Sequence, residues 1–216
     1  MKKIAVVLSG CGVFDGSEIH EATLSLLYIS RGGAEYHCAS IDAMQEKTVD
    51  HRDNRETGEK RNIMSESARI ARGNISCLSQ ISPKEYDAVI FPGGFGAALN
   101  LCSFGKSGAD MTVNPEVEKL IKSFHDAKKP IGAICIAPVI LAKVLGKHKV
   151  KITIGNDAQT ATVLNGFGAE HVNCAADEIC FDTKNLVVTT PAYMLAKNIS
   201  VAAKGIEKLV EKILSL

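Results

Sequence analysis

Cys135 follows the apolar run Pro130-Ile131-Gly132-Ala133-Ile134 and precedes Ile136-Ala137-Pro138, where an apolar stretch of helical length begins. The first run reads as a strand buried in a sheet, and a Pro is tolerated in a helix only in its first turn. Cys135 is therefore expected as the last residue of a strand, on a sharp strand-to-helix turn that exposes its sulfur, as in the nucleophile elbow of hydrolases. Free N–H groups and the dipole of the following helix favour negative charge there, so the thiol pKa is expected below its usual value of about 8.5. A second turn, Pro92-Gly93-Gly94-Phe95-Gly96, ends the apolar run Asp87–Phe91. Backbone without side chains can approach a reacting carbonyl and aim an N–H at its oxyanion, and the Ile136 N–H can supply a second donor. The remaining requirement is a proton carrier. Glu18 and Glu21 stand one helical turn apart on nearly the same face, and either can look across at Cys135. A partly desolvated carboxyl beside a sulfur tends to hold its proton, hydrogen-bond the sulfur and shuttle the proton during reaction.

These residues need a scaffold that gathers their turns. Ile4–Leu8 is a continuous apolar run ending in Ser9-Gly10-Cys11-Gly12, the pattern of a strand buried on both faces of a parallel sheet. A helix capped by Asp15 or Ser17 follows, with Ile19, Ala22, Leu26 and Leu27 on one stripe, and a second strand is expected over 35–41. Charged residues crowd 46–72, which reads as a solvated hairpin turning at Thr57-Gly58, then a short helix from Met64. Strands are expected at 87–91, 130–134, 150–154, around 171–172, at 179–181 and at 186–190, helices at 114–127, 136–145 and 158–164, and a final amphipathic helix over 192–216. Strands alternating with helices predict a three-layer α/β sandwich with a mostly parallel sheet. In such a sheet the turns after the first, third and fourth strands share one crevice beyond the carboxyl ends, where ligands bind.

Composition narrows the partners. The chain has 216 residues, 46% hydrophobic, which is length and core material for one domain with no linker-like boundary. Its 25 Lys and Arg against 24 Asp and Glu leave a formal charge of +1, so neither nucleic acid nor an anionic membrane is attracted globally. A small molecule is the expected partner. Seven cysteines lack any Cys-x-x-Cys pair or zinc-ligand spacing, so neither a disulfide framework nor a metal site is called for, and a reducing cytoplasm is expected. The sequence Leu8-Ser9-Gly10-Cys11 could precede lipid attachment, but the apolar run before it falls short of the roughly 7–15 residues of a secretory signal and reads as a strand.

The Pro92-Gly93-Gly94 turn, the Cys135 elbow and the early-helix Glu resemble the ThiJ/PfpI family of the class I glutamine amidotransferase-like superfamily. More narrowly, the blocks Ser9–Glu21, Pro92–Ala98, Cys135–Pro138 and Thr189–Met194 resemble its ElbB branch, described as glyoxalase-like and linked to isoprenoid biosynthesis. The resemblance spans essentially the whole chain. It implies a single flavodoxin-like domain over 1–216 and a homodimer. Carried over by position, it makes Cys135 the nucleophile and Glu21, five residues after Gly16, its acid partner. The oxyanion donors fall on the N–H groups of Gly94 and Ile136. The pattern has a gap: many relatives carry His after the Cys, where this chain has Ile136, and no His lies in 150–155. A Cys-His-Glu triad is thus not implied, and ammonia-releasing glutaminase chemistry is not expected.

The expected reaction is conversion of a small dicarbonyl such as glyoxal to its hydroxy acid, without cofactor, through a Cys135 hemithioacetal with Glu21 as acid and base. Two alternatives stand beside it. Cys135 can instead be a redox sensor oxidised to sulfinic acid, with Glu21 bonding the product. Alternatively, Gly10, Gly12 and Gly16 form a loose dinucleotide fingerprint, with Asp42 as ribose partner. His171 is expected to be structural.

Overall fold

The computed structural model describes residues 1–216. Eleven strands run β1 Lys3–Val7, β2 Glu35–Ser40, β3 Val49–Asp50, β4 Arg55–Glu56, β5 Ile75–Cys77, β6 Ala88–Phe91, β7 Ile131–Ile134, β8 Lys151–Ile152, β9 Glu170–His171, β10 Cys180–Asp182 and β11 Val187–Thr190. Eight α-helices are α1 Ile19–Arg31, α2 Ile63–Ile70, α3 Phe95–Leu99, α4 Phe104–Ser107, α5 Pro115–Asp126, α6 Pro138–Leu145, α7 Ala158–Gly166 and α8 Ile199–Ser215.

Seven strands form one sheet in the order β10-β11-β7-β6-β1-β2-β5, every pair parallel except β10 with β11. The central strands are apolar throughout because both faces are covered. With side chains alternating between faces, Ile4, Val6, Ala88, Ile90, Ile134 and Val188 pack under α1 and α8. Ala5, Val7, Val89, Phe91, Ile131 and Ala133 pack under α5 and α6 on the other side. This is the expected three-layer sandwich. The chain leaves β1 toward β2 and β5, then returns to build β6, β7 and β11 on the other side. The order reverses between β1 and β6, and the crevice of such a sheet opens there.

Several expected elements differ. The strand expected at 150–154 shrinks to β8, which leaves the main sheet and pairs parallel with β9. The edge strand β5 was not anticipated: it has three residues, all half-buried, too few for a periodic signal. The hairpin in the charged excursion turns over 51–54, with Asn54 at φ 58°, and not at Thr57-Gly58. Its base is not merely solvated. Gln45 donates through Nε2 to the Asp15 carbonyl at 3.1 Å, and the Glu46 N–H donates to Asn100 Oδ1 at 3.0 Å. The Val49 N–H donates to the buried Asp15 carboxylate at 2.8 Å. The excursion therefore clamps the loop that leads into α1. The final helix starts late, at Ile199 under an Asn198 cap, because residues 192–194 form a separate turn against the site.

Candidate active site

Cys135 lies just past β7 with φ +62°, a left-handed conformation that a non-glycine residue holds at a cost of about 1–3 kcal/mol. The surrounding structure enforces it. The Cys135 N–H donates to the Thr190 carbonyl at 2.9 Å, extending the β7–β11 ladder, while Ala137 bonds back to Ile134 and α6 begins at Pro138. Only 8% of Cys135 is exposed, and it lines a cavity of about 270 Å³.

Glu21 is fully buried in the second half of the first turn of α1. Its carboxyl lies beside the Cys135 thiol, both packed against the Gly93 backbone. Its two oxygens are held by backbone from opposite sides: Oε2 accepts from the Gly93 N–H at 3.0 Å and Oε1 from the Tyr193 N–H at 3.2 Å. Gly93 has to lack a side chain for this. A Cβ there would stand 2.5 Å from the Cys135 Cβ and 2.6 Å from Glu21 Oε2. Gly94 turns at φ +93°, and its N–H and that of Ile136 lie on the side of the Cys135 sulfur, where they favour its anionic form. Glu18 takes a different part from Glu21. It is itself the N-cap of α1, where Asp15 or Ser17 was expected, and its carboxylate accepts from the Glu21 N–H at 2.7 Å. Ser17 instead receives the Ser9 N–H at 2.9 Å and ties the end of β1 to the site loop.

Electrostatics corrects one expectation. Burial, reinforced by the neighbouring Glu18 charge, pushes the Glu21 carboxyl up to about 8, so it is mainly protonated at neutral pH. The Cys135 thiol is also raised, well above its ordinary value, first by burial and then by the Glu21 charge. The N–H groups of Gly94 and Ile136 pull the other way and do not prevail. A lowered thiol pKa read from the helix dipole alone omitted desolvation, which is the larger effect in a site this closed. The pair holds both protons near neutrality. The first one to leave is shared between sulfur and carboxyl, because the second charge would oppose the first.

The other sequence candidates fall elsewhere. His171 receives the Ile154 N–H at 3.4 Å and lines no part of the cavity. Asp42 accepts from Asn62 Nδ2 at 2.7 Å, and the N-terminus of α1 is occupied by the chain's own Glu18 carboxylate. The glycine loop is closed on itself and on α3, with Gly12 bonded to Ser17, Phe95 to Val13 and Gly96 to Gly16. These contacts and the close packing around Gly12 and Gly16 leave a pyrophosphate little room, which weighs against the dinucleotide reading. No group of three or more His, Cys, Asp and Glu side chains is arranged to hold a metal ion. Tyr193 was not singled out from the sequence as a site residue. Its N–H anchors Glu21, its ring lines the cavity and its hydroxyl pairs with His20 Nδ1 at 2.8 Å. Nothing in its spacing marks it, since it reaches the site only through the fold.

A family model described as the DJ-1/PfpI family matches residues 2–193. The ES1 protein homolog, mitochondrial, of Rattus norvegicus is 47% identical over 99% of this chain and 84% of its own length. The human glutamine amidotransferase-like class 1 domain-containing protein 3, mitochondrial, is also 47% identical, over 99% of this chain and 83% of its own. Among solved structures, an isoprenoid biosynthesis protein with amidotransferase-like domain from Ehrlichia chaffeensis superposes with a TM-score of 0.92. It is 35% identical and covers 99% of each chain. Drosophila melanogaster DJ-1beta, at 19% identity and a TM-score of 0.59 over 100% of this chain and 91% of its own, shares the fold. With its elbow cysteine at the end of β7 and its parallel sheet, this chain belongs to the DJ-1/PfpI family.

Proposed function

We propose that this protein converts small dicarbonyl compounds to their hydroxy acids without a cofactor, with Cys135 as nucleophile and Glu21 as acid and base. The observation that carries this reading is the fully buried Glu21 carboxyl, held by two backbone N–H groups against the Cys135 thiol at the edge of a cavity. A carboxyl with a pKa near 8 both takes and returns protons close to physiological pH, as the chemistry demands.

The ionised Glu21 takes the thiol proton as sulfur bonds to the aldehyde carbon, and that proton passes to the aldehyde oxygen to give a hemithioacetal. The N–H groups of Gly94 and Ile136, which face the sulfur, hold that oxygen while it is charged. Glu21 then removes the hydrogen on the sulfur-bearing carbon and delivers a proton to the neighbouring carbon, while the hemithioacetal hydroxyl proton passes to the neighbouring oxygen, so that one carbon is oxidised and the other reduced. The product is a 2-hydroxy thioester. Water cleaves its C–S bond, releasing the hydroxy acid and restoring the thiol.

The absence of a His at the cavity supports proton transfer by the carboxyl over glutaminase chemistry, because Ile136 stands next to the cysteine and His171 is engaged elsewhere. The redox-sensor reading uses the same sulfur, and the burial that raises the Cys135 thiol opposes oxidation and nucleophilic attack alike, so it is the adjoining Glu21 base that supports the catalytic reading. We further assign the chain to the ElbB branch as a homodimer acting in a reducing compartment, with the cytoplasm as its setting. The 35% identity to the Ehrlichia isoprenoid biosynthesis protein supports the branch, the seven unpaired cysteines support a reducing compartment, and the homodimer rests on the family resemblance alone. The rat and human relatives are named mitochondrial, and no helix here is long and apolar enough to cross a membrane. Assay of glycolate formed from glyoxal tests the proposal. Wild type is expected to produce it and Cys135→Ala and Glu21→Gln to lose it, and undiminished turnover in either variant would overturn the assignment.

A further inference from the structure

Two cysteines outside the Cys135 site meet at the edge of the sheet formed by β10. Cys180 lies in β10 directly opposite Thr189 of β11, so their side chains share a face. Thr189 Oγ1 accepts from the Thr153 N–H at 2.9 Å, just past β8, and Thr153 Oγ1 accepts from the Gly155 N–H at 3.0 Å. Cys174 is tied to the same stretch, its N–H donating to the Gly155 carbonyl at 3.4 Å. Each sulfur has one of these hydroxyls as its neighbour: Thr153 favours the ionised form of Cys174, and Thr189 that of Cys180. Between the cysteines the chain doubles back, with the Glu178 N–H donating to the Ala175 carbonyl at 3.0 Å and the Ala175 N–H to Glu178 Oε2 at 2.9 Å. A turn of this kind brings its flanks together, and a disulfide spans Cα atoms about 4.4–6.8 Å apart.

The two thiols differ in access. Cys174 is half-buried and Cys180 is buried. The Cys180 thiol is pushed up to about 12, first by burial and next by Cys174, which acts on it more than the Asp182 carboxylate two residues away. This influence runs from Cys174 to Cys180, the direction expected when Cys174 ionises first. Among the groups that shift Cys11, Cys38, Cys102 and Cys135 there is no second sulfur. Cys174 is thus the sulfur that meets an oxidant, and Cys180 the one beside it. Burial raises Cys174 as well, so exchange there should quicken as pH rises.

We propose that Cys174 and Cys180 are a reversible dithiol–disulfide couple, oxidised by a low-molecular-weight disulfide such as glutathione disulfide. The Cys174 thiolate attacks one sulfur of the oxidant, forming a mixed disulfide and releasing one glutathione thiolate. Cys180 gives up its proton, and its sulfur displaces the second glutathione from Cys174. The two protein thiols lose two electrons and two protons, which leave in two molecules of glutathione. In a reducing compartment the pair rests open and closes under oxidative challenge. The segment that it closes carries the Glu178 carbonyl, which accepts from Thr190 Oγ1 at 2.7 Å, and the Thr190 carbonyl accepts from the Cys135 N–H at 2.9 Å. The couple therefore lies behind the elbow and is separate from the redox chemistry considered for Cys135. It goes beyond the dicarbonyl reading and uses none of it.

Thiol mapping of the full chain tests the couple. The protein is equilibrated with oxidised and reduced glutathione, quenched in acid and denatured, and its free thiols are blocked with iodoacetamide. The remaining sulfurs are then reduced, labelled with N-ethylmaleimide and located by mass spectrometry. The maleimide label is expected on Cys174 and Cys180 together, at about tenfold or more the level on any other cysteine, and to vanish when reduced glutathione is restored. The intact chain should lose two hydrogens and carry no glutathione. Cys180→Ser should instead hold one glutathione on Cys174, because the mixed disulfide has no sulfur to resolve it. A stable glutathione adduct on wild-type Cys174 with Cys180 free would overturn the proposal, as would label spread evenly over the cysteines or absent from both. Turnover enters none of these readouts, so their failure leaves the dicarbonyl reading untouched.

Discussion

Replacing Glu21 by Gln should change the sign of its effect on stability as pH rises. The unfolded carboxyl titrates near its ordinary value of 4.5, and the native one near 8. Below 4.5 both states carry the proton and the group contributes no pH dependence. Between the two values the unfolded state loses its proton first, so native stability falls with rising pH, and above 8 the penalty is constant. At about 1.4 kcal/mol for each tenfold difference in proton affinity, the penalty is under about 1 kcal/mol at pH 5 and about 4 kcal/mol at pH 8. Gln carries no such penalty, but its amide nitrogen cannot accept. One of the two backbone N–H groups of Gly93 and Tyr193 then loses its acceptor, at a pH-independent cost of about 1–3 kcal/mol. Glu21→Gln is therefore expected to be less stable than wild type at pH 5 and more stable at pH 8. Urea unfolding at the two pH values, with unchanged denaturant slopes, measures the difference directly. A stability difference between the two proteins that stays flat from pH 5 to pH 8 would refute the burial argument for Glu21.

The same titration should govern catalysis: kcat/KM for a dicarbonyl is expected to rise with pH to a midpoint near 8, because the active pair has lost one proton, and a stopped pH series checks it. Gly93→Ala places a Cβ 2.5 Å from the Cys135 Cβ and 2.6 Å from Glu21 Oε2, so it should cost about 1–3 kcal/mol of stability by overpacking and about 100-fold in kcat by displacing the carboxyl, read by unfolding and single-turnover kinetics. Tyr193→Phe keeps the N–H that holds Glu21 and loses only the bond to His20, so kcat/KM should stay within about threefold of wild type, the scale of a single partly exposed hydrogen bond, and a larger fall would put the phenol in the chemistry.

Much of the scaffold can be read from residue type because the central strands are buried on both faces. Ile4–Val7, Ala88–Phe91 and Ile131–Ile134 are continuous apolar runs, and each ends in the turn that builds the site. The elbow at Cys135 follows from the same runs together with Pro138. What escaped depends on contacts distant in sequence. Spacing could not separate Glu18 from Glu21, since both lie at the start of α1, and only the approach of Gly93 and Tyr193 draws one of them inward. Ala192, Tyr193 and Met194 read as the start of a helix because they are apolar, yet Ala192 has φ +42° and the segment forms a wall of the cavity. The charged excursion reads as solvent-facing, and its tip is, while Gln45 and Val49 at its base hold Asp15 in place. The thiol pKa was misjudged because the helix dipole is visible in sequence and burial is not.

Incubating Glu21→Gln with a dicarbonyl labelled with carbon-13 at its aldehyde, and following it by NMR, probes the division of labour between sulfur and carboxyl most directly. Without the Glu21 base the Cys135 thiol should add only slowly, any sulfur-bonded hemithioacetal carbon that forms should persist with no hydroxy acid, and Cys135→Ala should show neither signal. Hydroxy acid formed by Glu21→Gln at the wild-type rate, or a hemithioacetal signal that persists in Cys135→Ala, would contradict the assignment.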